Sequence, residues 1–393
     1  MKRICMDYQA GMPTDPRVVK AMMPYFSEIF GNPSSTHSLG QEVKIVVEGS
    51  REKIADLIGV KKKDSIIFTS GGTESNNLAI AGVAFRNKDK GNQIITTAIE
   101  HMSVLNTCKS LEKKGFKVTY IPVDKQGVVD VDSLRKEITN ETILISVMYA
   151  NGEIGTIQPI KEIGEIAHEK NICFHSDAVA AAGVLPIDVE EENIDLLSIS
   201  SNDMYGPKGV GALYIREGIK IVPIVYGGGQ ERGLRSGSEN IPSIVGLGKA
   251  AEIIKSEREM ESSRLTKLRD KLTEGILSNI PQSFLNGHPV QRLPNNANVR
   301  FSYIEGESLI LSLDMEGVSV SSGSACTSKT LEPSRVLRAI DLPHEEAHGS
   351  LLFSLGRENS DEDIKYVLGI LSGIVNRLRA MSPLTPKESN MGQ

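Results

Sequence analysis

Gly71, Gly72 and Thr73 stand between a short apolar run and a stretch with helical spacing. Free backbone N–H groups at a helix N-terminus, together with a hydroxyl group, bind anions such as phosphate. An ordinary glycine turn in which Thr73 caps the helix explains the same residues. This segment alone therefore leaves a phosphate site and a structural turn open.

Asp177 and His101 each follow a run of apolar and β-branched residues. A carboxylate at the end of a buried strand caps the next helix, or it pairs with a protonated ring nitrogen of a cofactor. A lone histidine is commonly a surface or capping residue. These residues alone do not distinguish a structural function of Asp177 and His101 from a binding function.

Cys326 lies among small polar residues in the segment SSGSACTSK, residues 321–329. This composition predicts an exposed, reactive thiol in a loop rather than a buried apolar filler. A thiolate can carry a persulfide or ligate iron in a cluster. The other cysteines, Cys5, Cys108 and Cys173, are widely spaced, which indicates neither a disulfide framework nor a zinc site.

The elements that position these residues alternate between strand and helix patterns from residue 16 to about residue 250. The strand patterns are short and nearly continuous in apolar character, as expected for strands buried on both faces. Such alternation predicts an α/β fold with a mostly parallel central sheet covered by helices. The predicted strands are residues 65–70, 93–99, 117–123, 143–150, 172–178, 196–201 and 211–216.

A long charged helix, predicted over residues 250–280, separates this region from shorter strands and helices. We therefore expect a large domain over residues 16–255. Residues 1–15 and 256–383 would form a small α/β domain. The polar residues 384–393 are expected to be a disordered tail.

The charge balance limits the partners of the chain. It has 393 residues, with 44 Lys and Arg against 50 Asp and Glu, and no basic stripe that would favour nucleic acid. No apolar run approaches the about 20 residues that cross a bilayer, and the first residues lack the apolar core of a signal peptide. We expect a soluble, cytoplasmic protein that binds neither nucleic acid nor membrane.

Taken together, the segments resemble NifS/IscS-like cysteine desulfurases of the class V aminotransferase family over nearly the whole chain. The motifs that carry this resemblance occur in the family's order: DYQAG, FGNPSSTHSLG, TSGGTESNN, IEHMSV, NGEIGTIQPI, HSDAV, YGPKGVGALY, GGGQERGLRSGSEN and SSGSACTSKTLEPSRVLRA. The resemblance implies a homodimer with the fold-type I architecture of pyridoxal-phosphate enzymes. Members take sulfur from cysteine as a persulfide on a loop cysteine and pass it to acceptors, often an IscU-type iron–sulfur scaffold protein.

Position by position, the resemblance also implies a set of site residues. His101 would stack on the pyridine ring of pyridoxal phosphate, Asp177 would pair with the ring nitrogen, and Cys326 would receive the sulfur. The remaining residues would contact the cofactor phosphate: Gly72, Thr73, Ser200 and, from the neighbouring subunit, Ser238.

The chain departs from the family pattern at the residue that should bond the cofactor. Asn202 and Asp203 stand where the family has His-Lys. An imine requires a primary amine, and a carboxylate cannot form that bond. Lys208 is the nearest amine, but it matches the ordinary lysine of the GPKG motif.

Further departures surround the expected pocket. Ala180 replaces a glutamine that would hydrogen-bond the cofactor oxygen, and Gly152 replaces the second asparagine of Asn-Asn-Glu. Leu352 replaces the arginine that would clamp the substrate carboxylate through two charge-assisted hydrogen bonds. Gly11 and Met12 replace a Thr-Thr pair at the mouth of the site.

These changes predict that desulfurase activity is absent or very low and that pyridoxal phosphate, if bound, is held weakly and without a covalent bond. We expect an iron–sulfur cluster assembly or sulfur-transfer protein. Cys326 would be its persulfide carrier, or a cluster ligand shared with an IscU-type scaffold. Two alternatives stay open: an active desulfurase that produces alanine and a Cys326 persulfide, with Lys208 or another group replacing the lysine, and a non-catalytic subunit of an active paralogue.

Overall fold

The computed structural model describes residues 3–60, 62, 65–323 and 334–386. Cys326 and most of the predicted tail lie outside the described residues. The strands are β1 (Ile4–Cys5), β2 (Ile66–Thr69), β3 (Gln93–Thr97), β4 (Lys117–Ile121), β5 (Thr142–Ser146), β6 (Cys173–Asp177), β7 (Leu196–Ser200), β8 (Gly211–Ile215), β9 (Ser283–Leu285), β10 (Asn296–Phe301), β11 (Val318–Ser319) and β12 (Ser350–Ser354). The helices are α1 (Pro16–Met22), α2 (Pro24–Ser27), α3 (Ser38–Leu57), α4 (Gly72–Arg86), α5 (Met102–Glu112), α6 (Val131–Glu137), α7 (Ile160–Glu169), α8 (Ile241–Asn279), α9 (Gly306–Met315), α10 (Arg335–Ala339), α11 (His344–His348) and α12 (Asp361–Met381).

The central sheet contains seven strands in the order β2-β8-β7-β6-β5-β3-β4. Its pairings are parallel except those of β8, which runs antiparallel to both of its neighbours. Each of the seven predicted strand segments overlaps one of these strands, and only β5 begins outside its segment, one residue earlier at Thr142. The expectation of an α/β fold with a mostly parallel sheet is therefore confirmed.

Both faces of this sheet are covered by hydrophobic clusters. Neighbouring residues of one strand, such as Ile66 and Ile67 or Leu196 and Leu197, belong to different clusters on opposite faces. Successive side chains of a strand point to opposite faces, so an apolar run without alternation requires cover on both sides. The strand sequences do not alternate between apolar and polar residues because both faces of the sheet are packed against apolar side chains.

Helix α8 begins at Ile241, so the prediction of a start at residue 250 was wrong. The side chain of Asn240 accepts a hydrogen bond from the amide of Ser243 at 3.3 Å, and Pro242 occupies the first turn. An asparagine cap followed by proline is a strong start for a helix. The charged character of residues 250–280 described only the later part of the helix.

A second hydrophobic cluster joins the N-terminal strand to the C-terminal third of the chain. Ile4 and Met6 pack with residues of β10, β12, α12 and the later part of α8. Buried side chains of α8 up to Ile254 belong to the cluster of the large sheet, and those from Leu265 onward belong to the second cluster. The division into domains at residue 255 stays a prediction.

Candidate functional site

The candidate site lies where strands of the central sheet end and α4 begins. Asp177 is the last residue of β6, Ser200 is the last residue of β7, and Gly72 is the first residue of α4. A Cβ atom placed on Gly72 would lie 2.5 Å from Cγ2 of Val179 and 3.6 Å from Cβ of Ser200. The carboxyl ends of strands in open α/β sheets are the usual position of ligand sites.

Helix α4 presents an uncapped N-terminus to this edge. Its capping residue is Gly71, at φ 148°, and no side chain caps the helix. Thr73 lies inside the helix and is exposed, so the alternative in which Thr73 is the cap is wrong. The free amides and the Thr73 hydroxyl can therefore bind a phosphate group, as the macrodipole favours an anion there.

Asp177 is held by hydrogen bonds on both carboxylate oxygens. Oδ1 accepts from the amide of Val179 at 3.0 Å, and Oδ2 accepts from Nδ2 of Asn76 at 2.6 Å. The residue is 5% exposed, and its burial raises the pKa of the carboxyl group above the usual value. A cationic partner such as a pyridinium N–H would relieve the cost of keeping this carboxylate charged.

His101 caps α5 and is linked to Asp177 through two side chains. Its Nδ1 accepts from the amide of Ser103 at 3.2 Å and lies 2.8 Å from Ser103 Oγ. Ser103 Oγ in turn accepts from Nδ2 of Asn76, the same group that contacts Asp177. His101 therefore has the capping role considered from the sequence, and its stacking on a cofactor ring stays a prediction.

Asn76 was missed at the sequence level although the motif TSGGTESNN contains it. The residue is 1% exposed, and its Oδ1 has no hydrogen-bond partner among the described residues. It lies one helical turn after Thr73, so α4 presents both residues to the same region. That spacing was the available signal for a second site residue on this helix.

Asp203 lies in a short 3-10 turn, Asn202–Met204, that follows β7. Burial raises the pKa of its carboxyl group to about 6, against the lowering effect of hydrogen bonds with the side chains of Ser200 and Asn202. The negative charge of Asp177 raises the pKa of Asp203 further. The contact of Ser200 with a phosphate stays a prediction.

Lys208, the nearest amine in sequence, is directed to the N-terminal segment. Its Nζ donates to the backbone oxygen of Met12 at 3.3 Å, and the residue is exposed. A Cβ atom placed on Gly11 would lie 3.8 Å from this Nζ and 3.9 Å from Oδ1 of Asn202. Both distances are ordinary van der Waals contacts, so these groups leave room for a Cβ atom at position 11.

The departures from the family pattern are accommodated by local packing. A Cβ atom on Gly152 would lie 2.6 Å from Nε2 of Gln9, so Gln9 fills the place of a side chain at this position. Leu352 is 1% exposed in β12 and pairs with Asn298 of β10. Ala180 is half-buried in the turn after β6. Gln9 was not singled out from the sequence, because its contact with Gly152 is long-range.

The side chains of Asn151 and Glu153 contact backbone and side-chain groups of the protein itself. The side chain of Asn151 donates to the backbone oxygen of Ile99 and accepts from the amides of Glu153 and Ile154. Burial raises the pKa of Glu153 to about 7, opposed by a hydrogen bond with Ser334 and the charge of Arg335. Asn151 therefore holds its own turn together.

The remaining predicted residues are only partly described. Ser238 is exposed in the segment before α8, and its contribution to a neighbouring subunit stays a prediction. Cys326 lies outside the described residues. Burial raises the pKa of the Cys108 thiol to about 12 and that of Cys173 well above its ordinary value.

The described part of the chain contains neither a cluster of three metal-ligating side chains nor a helix long and apolar enough to span a membrane.

These residues fit part of a pyridoxal phosphate group. The N-terminus of α4 with Thr73 suits the phosphate, and the buried Asp177 suits the ring nitrogen. The residue at the expected anchoring position, Asp203, has no amine to offer the aldehyde. The pocket therefore fits the phosphate and the ring, and it does not fit the covalent attachment.

Comparison with known proteins defines the class. The family model of class-V aminotransferases matches residues 4–367. A solved structure described as a NifS-like protein aligns with a TM-score of 0.90 at 38% identity, over 96% of this chain and 100% of that one. The fold is the fold-type I architecture of pyridoxal-phosphate proteins, as expected from the sequence.

Two curated relatives extend this likeness over nearly full length. The protein of Archaeoglobus fulgidus named cysteine desulfurase IscS 1 is 57% identical over 378 residues, 96% of this chain and 98% of the relative. The cysteine desulfurase IscS of Methanosarcina thermophila is 58% identical over 387 residues, 98% of this chain and 95% of the relative. The chain belongs to the class-V aminotransferase family, among its NifS/IscS-like cysteine desulfurases.

Proposed function

We propose that the chain serves iron–sulfur cluster assembly as a sulfur-transfer protein whose own desulfurase activity is absent or very low. Cys326 carries a persulfide, or it ligates a cluster shared with an IscU-type scaffold protein. The observation that carries this proposal is Asp203, a carboxylate at the position of the imine-forming lysine. Pyridoxal phosphate then binds weakly and without a covalent bond.

The surroundings of Asp203 support the loss of the imine. Its carboxyl group hydrogen-bonds Ser200 and Asn202, and the nearest amine in sequence, that of Lys208, is engaged by the backbone of Met12. A lysine that forms an imine needs a free amine beside the aldehyde carbon. Leu352 adds a second loss, because its apolar side chain offers no donor to a substrate carboxylate.

The relatives favour a second candidate function. Both curated relatives described above are named cysteine desulfurases, at 57% and 58% identity. In this alternative the chain releases sulfur from cysteine, produces alanine and forms the Cys326 persulfide. Lys208 or another group would then replace the missing lysine.

The visible spectrum of the purified chain with added pyridoxal phosphate separates the two functions. We expect no imine absorption band after desalting, and no sulfide released from cysteine in the presence of a thiol reductant. A band that survives desalting, together with sulfide release, would establish the alternative and exclude the proposed loss of activity.

Restoring the amine tests the assignment of Asp203. The variant Asp203→Lys is expected to form a stable yellow imine, because the phosphate and ring contacts persist. Full turnover is not expected, because Leu352 still offers no clamp for the substrate carboxylate. The matched control is Asp89→Lys, which makes the same charge change at an exposed residue. Absence of the band in the folded variant would show that position 203 does not face the aldehyde.

The role of Cys326 is tested by co-expression with a three-cysteine scaffold protein. We expect Cys326→Ser to reduce the iron and sulfide content of the co-purified complex. Cys5→Ser, which alters an exposed cysteine elsewhere, serves as the control. Unchanged cluster content in Cys326→Ser would contradict both the persulfide and the ligand role.

A further inference from the structure

Four side chains form one continuous chain of hydrogen bonds beside the N-terminus of α4. Ser103 Oγ lies 2.8 Å from His101 Nδ1 and 2.8 Å from Asn76 Nδ2, and the same Nδ2 lies 2.6 Å from Oδ2 of Asp177. Ser103, Asn76 and Asp177 are buried, whereas His101 is exposed. The hydrogen bonds therefore join an exposed imidazole ring to a buried carboxylate.

Backbone amides fix the proton positions at both ends of this chain. The amide of Ser103 donates to His101 Nδ1 at 3.2 Å, and the amide of Val179 donates to Oδ1 of Asp177 at 3.0 Å. A backbone N–H group can only donate, so Nδ1 of His101 must carry a lone pair. An imidazole with an acceptor nitrogen is neutral and has its proton on the other nitrogen, which here is Nε2.

The inner hydrogen bonds follow from these fixed ends. Because Nδ1 of His101 is an acceptor, the hydroxyl group of Ser103 donates to it, and Ser103 Oγ in turn accepts from Asn76. The Asn76 amide also donates to Asp177, so both oxygens of that carboxylate accept from N–H groups. Turning the Asn76 amide over would place its oxygen against the carboxylate, where two acceptors repel each other.

Asn76 keeps this orientation at a cost to stability. Its Oδ1 is buried and has no hydrogen-bond partner within the described part of the chain. A buried acceptor in this state costs about 1–3 kcal/mol and requires an explanation. The explanation offered by the geometry is that the amide is held with its donors toward Asp177 and Ser103, because N–H donors favour the charged form of a carboxylate.

The second nitrogen of His101 is available to a ligand. No described residue hydrogen-bonds Nε2, and His101 lines a groove together with Ser103 and with Thr73 at the start of α4. A ligand that places an anion at the uncapped N-terminus of α4 therefore shares this groove with an N–H donor of His101.

We propose that Asn76 and Ser103 are positioning residues that fix the protons of this site, so that Asp177 meets a ligand as an acceptor and His101 meets it as an Nε2–H donor. His101 then offers the ligand no lone pair and is a hydrogen-bond donor rather than a base. The inference does not depend on the residue at position 203, so it goes beyond the proposed function.

The proton positions are tested by nitrogen NMR of the full chain with isotopically labelled histidine, in mildly alkaline buffer and without a ligand. The variant His101→Gln identifies the resonances of His101. We expect a protonated Nε2 and an unprotonated Nδ1, whose resonance is displaced to lower frequency by the hydrogen bonds that it accepts. A protonated Nδ1 would overturn the proposal.

The variant Ser103→Ala tests the hydroxyl group. Loss of this donor should move the Nδ1 resonance of His101 toward that of a free imidazole, because only the backbone amide still donates to it. Ser110→Ala, at an exposed residue of the same helix, should leave the resonance unchanged. An unchanged resonance in the folded Ser103→Ala variant would contradict the role of Ser103.

The role of Asn76 is tested by titration calorimetry with pyridoxine 5′-phosphate, which has the phosphate and the ring nitrogen but no aldehyde. We expect Asn76→Leu to bind it about tenfold more weakly than wild type, the size of one hydrogen bond to a charged group. Binding of phenyl phosphate, which has no ring nitrogen, should change by less than about twofold, and so should both affinities in the control Asn92→Leu, at an exposed residue.

Equal losses for both ligands in Asn76→Leu would show a general disturbance of the groove and contradict the coupling to Asp177. An unchanged affinity for pyridoxine 5′-phosphate, or no binding by wild type, would likewise overturn the proposal.

These outcomes are separate from those of the proposed function. Pyridoxine 5′-phosphate cannot form an imine, and the NMR measurement needs no ligand, so either test can fail while the loss of desulfurase activity stands. An imine band with sulfide release would overturn the proposed function and leave the proton positions intact. The wild-type spectrum requires no packing variant, so a folding defect in Asn76→Leu or Ser103→Ala leaves the first test decisive.

Discussion

Glu100 is a buried residue directly before His101, between β3 and α5. Its Oε1 accepts from Thr97 Oγ1 at 2.7 Å and from the amide of Met148 at 2.9 Å, whereas Oε2 has no partner among the described residues. Burial raises the pKa of the carboxyl group to about 8; hydrogen bonds with Met148 and Thr97 lower it, the charge of Asp177 raises it, and that of Arg335 lowers it. Glu100 is therefore a buried acid that is largely neutral at neutral pH.

This burial predicts a pH-dependent stability. Because the folded pKa is raised, the contribution of Glu100 to stability is full below its ordinary value of 4.5 and is lost as the pH rises through about 8. Glu100→Gln cannot ionise, so its free energy of unfolding relative to wild type should rise over this range by at least about 1.4 kcal/mol, the value of one pKa unit. Denaturant unfolding across this pH range measures the trend.

The control is Glu112→Gln, which removes the same charge from an exposed residue at the end of α5. Its difference from wild type should stay nearly constant over the same pH values. A constant difference in Glu100→Gln as well would show that the carboxyl group is already accommodated as an anion.

Several site residues could be found from the sequence because they are the last or first residues of regular elements. Asp177 ends β6 and Gly72 begins α4, and both boundaries follow from apolar runs and a glycine pair. The contact between Asp177 and Asn76 joins residues 101 positions apart, and no local pattern encodes it. The pairing of Asp177 with Ser198 likewise joins two strands whose contact no local pattern encodes.

At the scale of elements, α3, the edge strand β2 and the segment before α8 are joined by one buried ion pair. Arg51 donates from Nη1 and Nη2 to the two carboxylate oxygens of Glu231, both at 2.8 Å. Glu231 also accepts from the amide of Phe68 at 2.7 Å, and Arg51 donates to the backbone oxygen of Ile66. Glu231 has φ 47°, so these contacts hold its backbone in a left-handed conformation.

Removing the charge of Glu231 should therefore be costly. Glu231→Gln leaves the buried Arg51 guanidinium with only the Glu48 carboxylate, 3.3 Å from Nε, as a counter-charge, and we expect a loss of about 2 kcal/mol in the free energy of unfolding. Chemical denaturation at neutral pH measures it. Glu217→Gln, which breaks an exposed pair with Lys62, should cost less than about 1 kcal/mol. Similar costs for both variants would show that the Arg51 pair contributes no more than a surface pair.

At the scale of the whole molecule, β10 holds the turn that carries Asn151, Gly152 and Glu153. Asn296 Nδ2 donates to the backbone oxygen of Gly152 at 2.7 Å, and Asn298 Nδ2 donates to that of Glu153 at 3.0 Å. Arg292 reaches the backbone oxygen of Ile154. β10, which belongs to the second hydrophobic cluster, is therefore joined by polar contacts to the turn after β5 of the central sheet, in addition to the connection through α8.

The assembly of the chain is a prediction at this scale. The proposal that Ser238 completes a neighbouring site requires a homodimer, so light scattering of the purified chain should give twice the chain mass of 42.7 kDa. The mass should stay unchanged in Asp203→Asn, because that residue lies inside the pocket. A mass equal to one chain would contradict both the dimer and the role of Ser238.

The sequence by itself determined the strands of the central sheet, the family and the identity of the residue at position 203. Strand runs and family motifs are continuous in the chain, so they can be read without knowledge of packing. Only the tertiary structure decided that Gln9 lies against Gly152, that Asn76 connects Asp177 with Ser103, and that Lys208 donates to the backbone oxygen of Met12. These contacts form between distant segments, and the physical reason is that packing of the sheet and its helices, rather than local propensity, sets which segments meet.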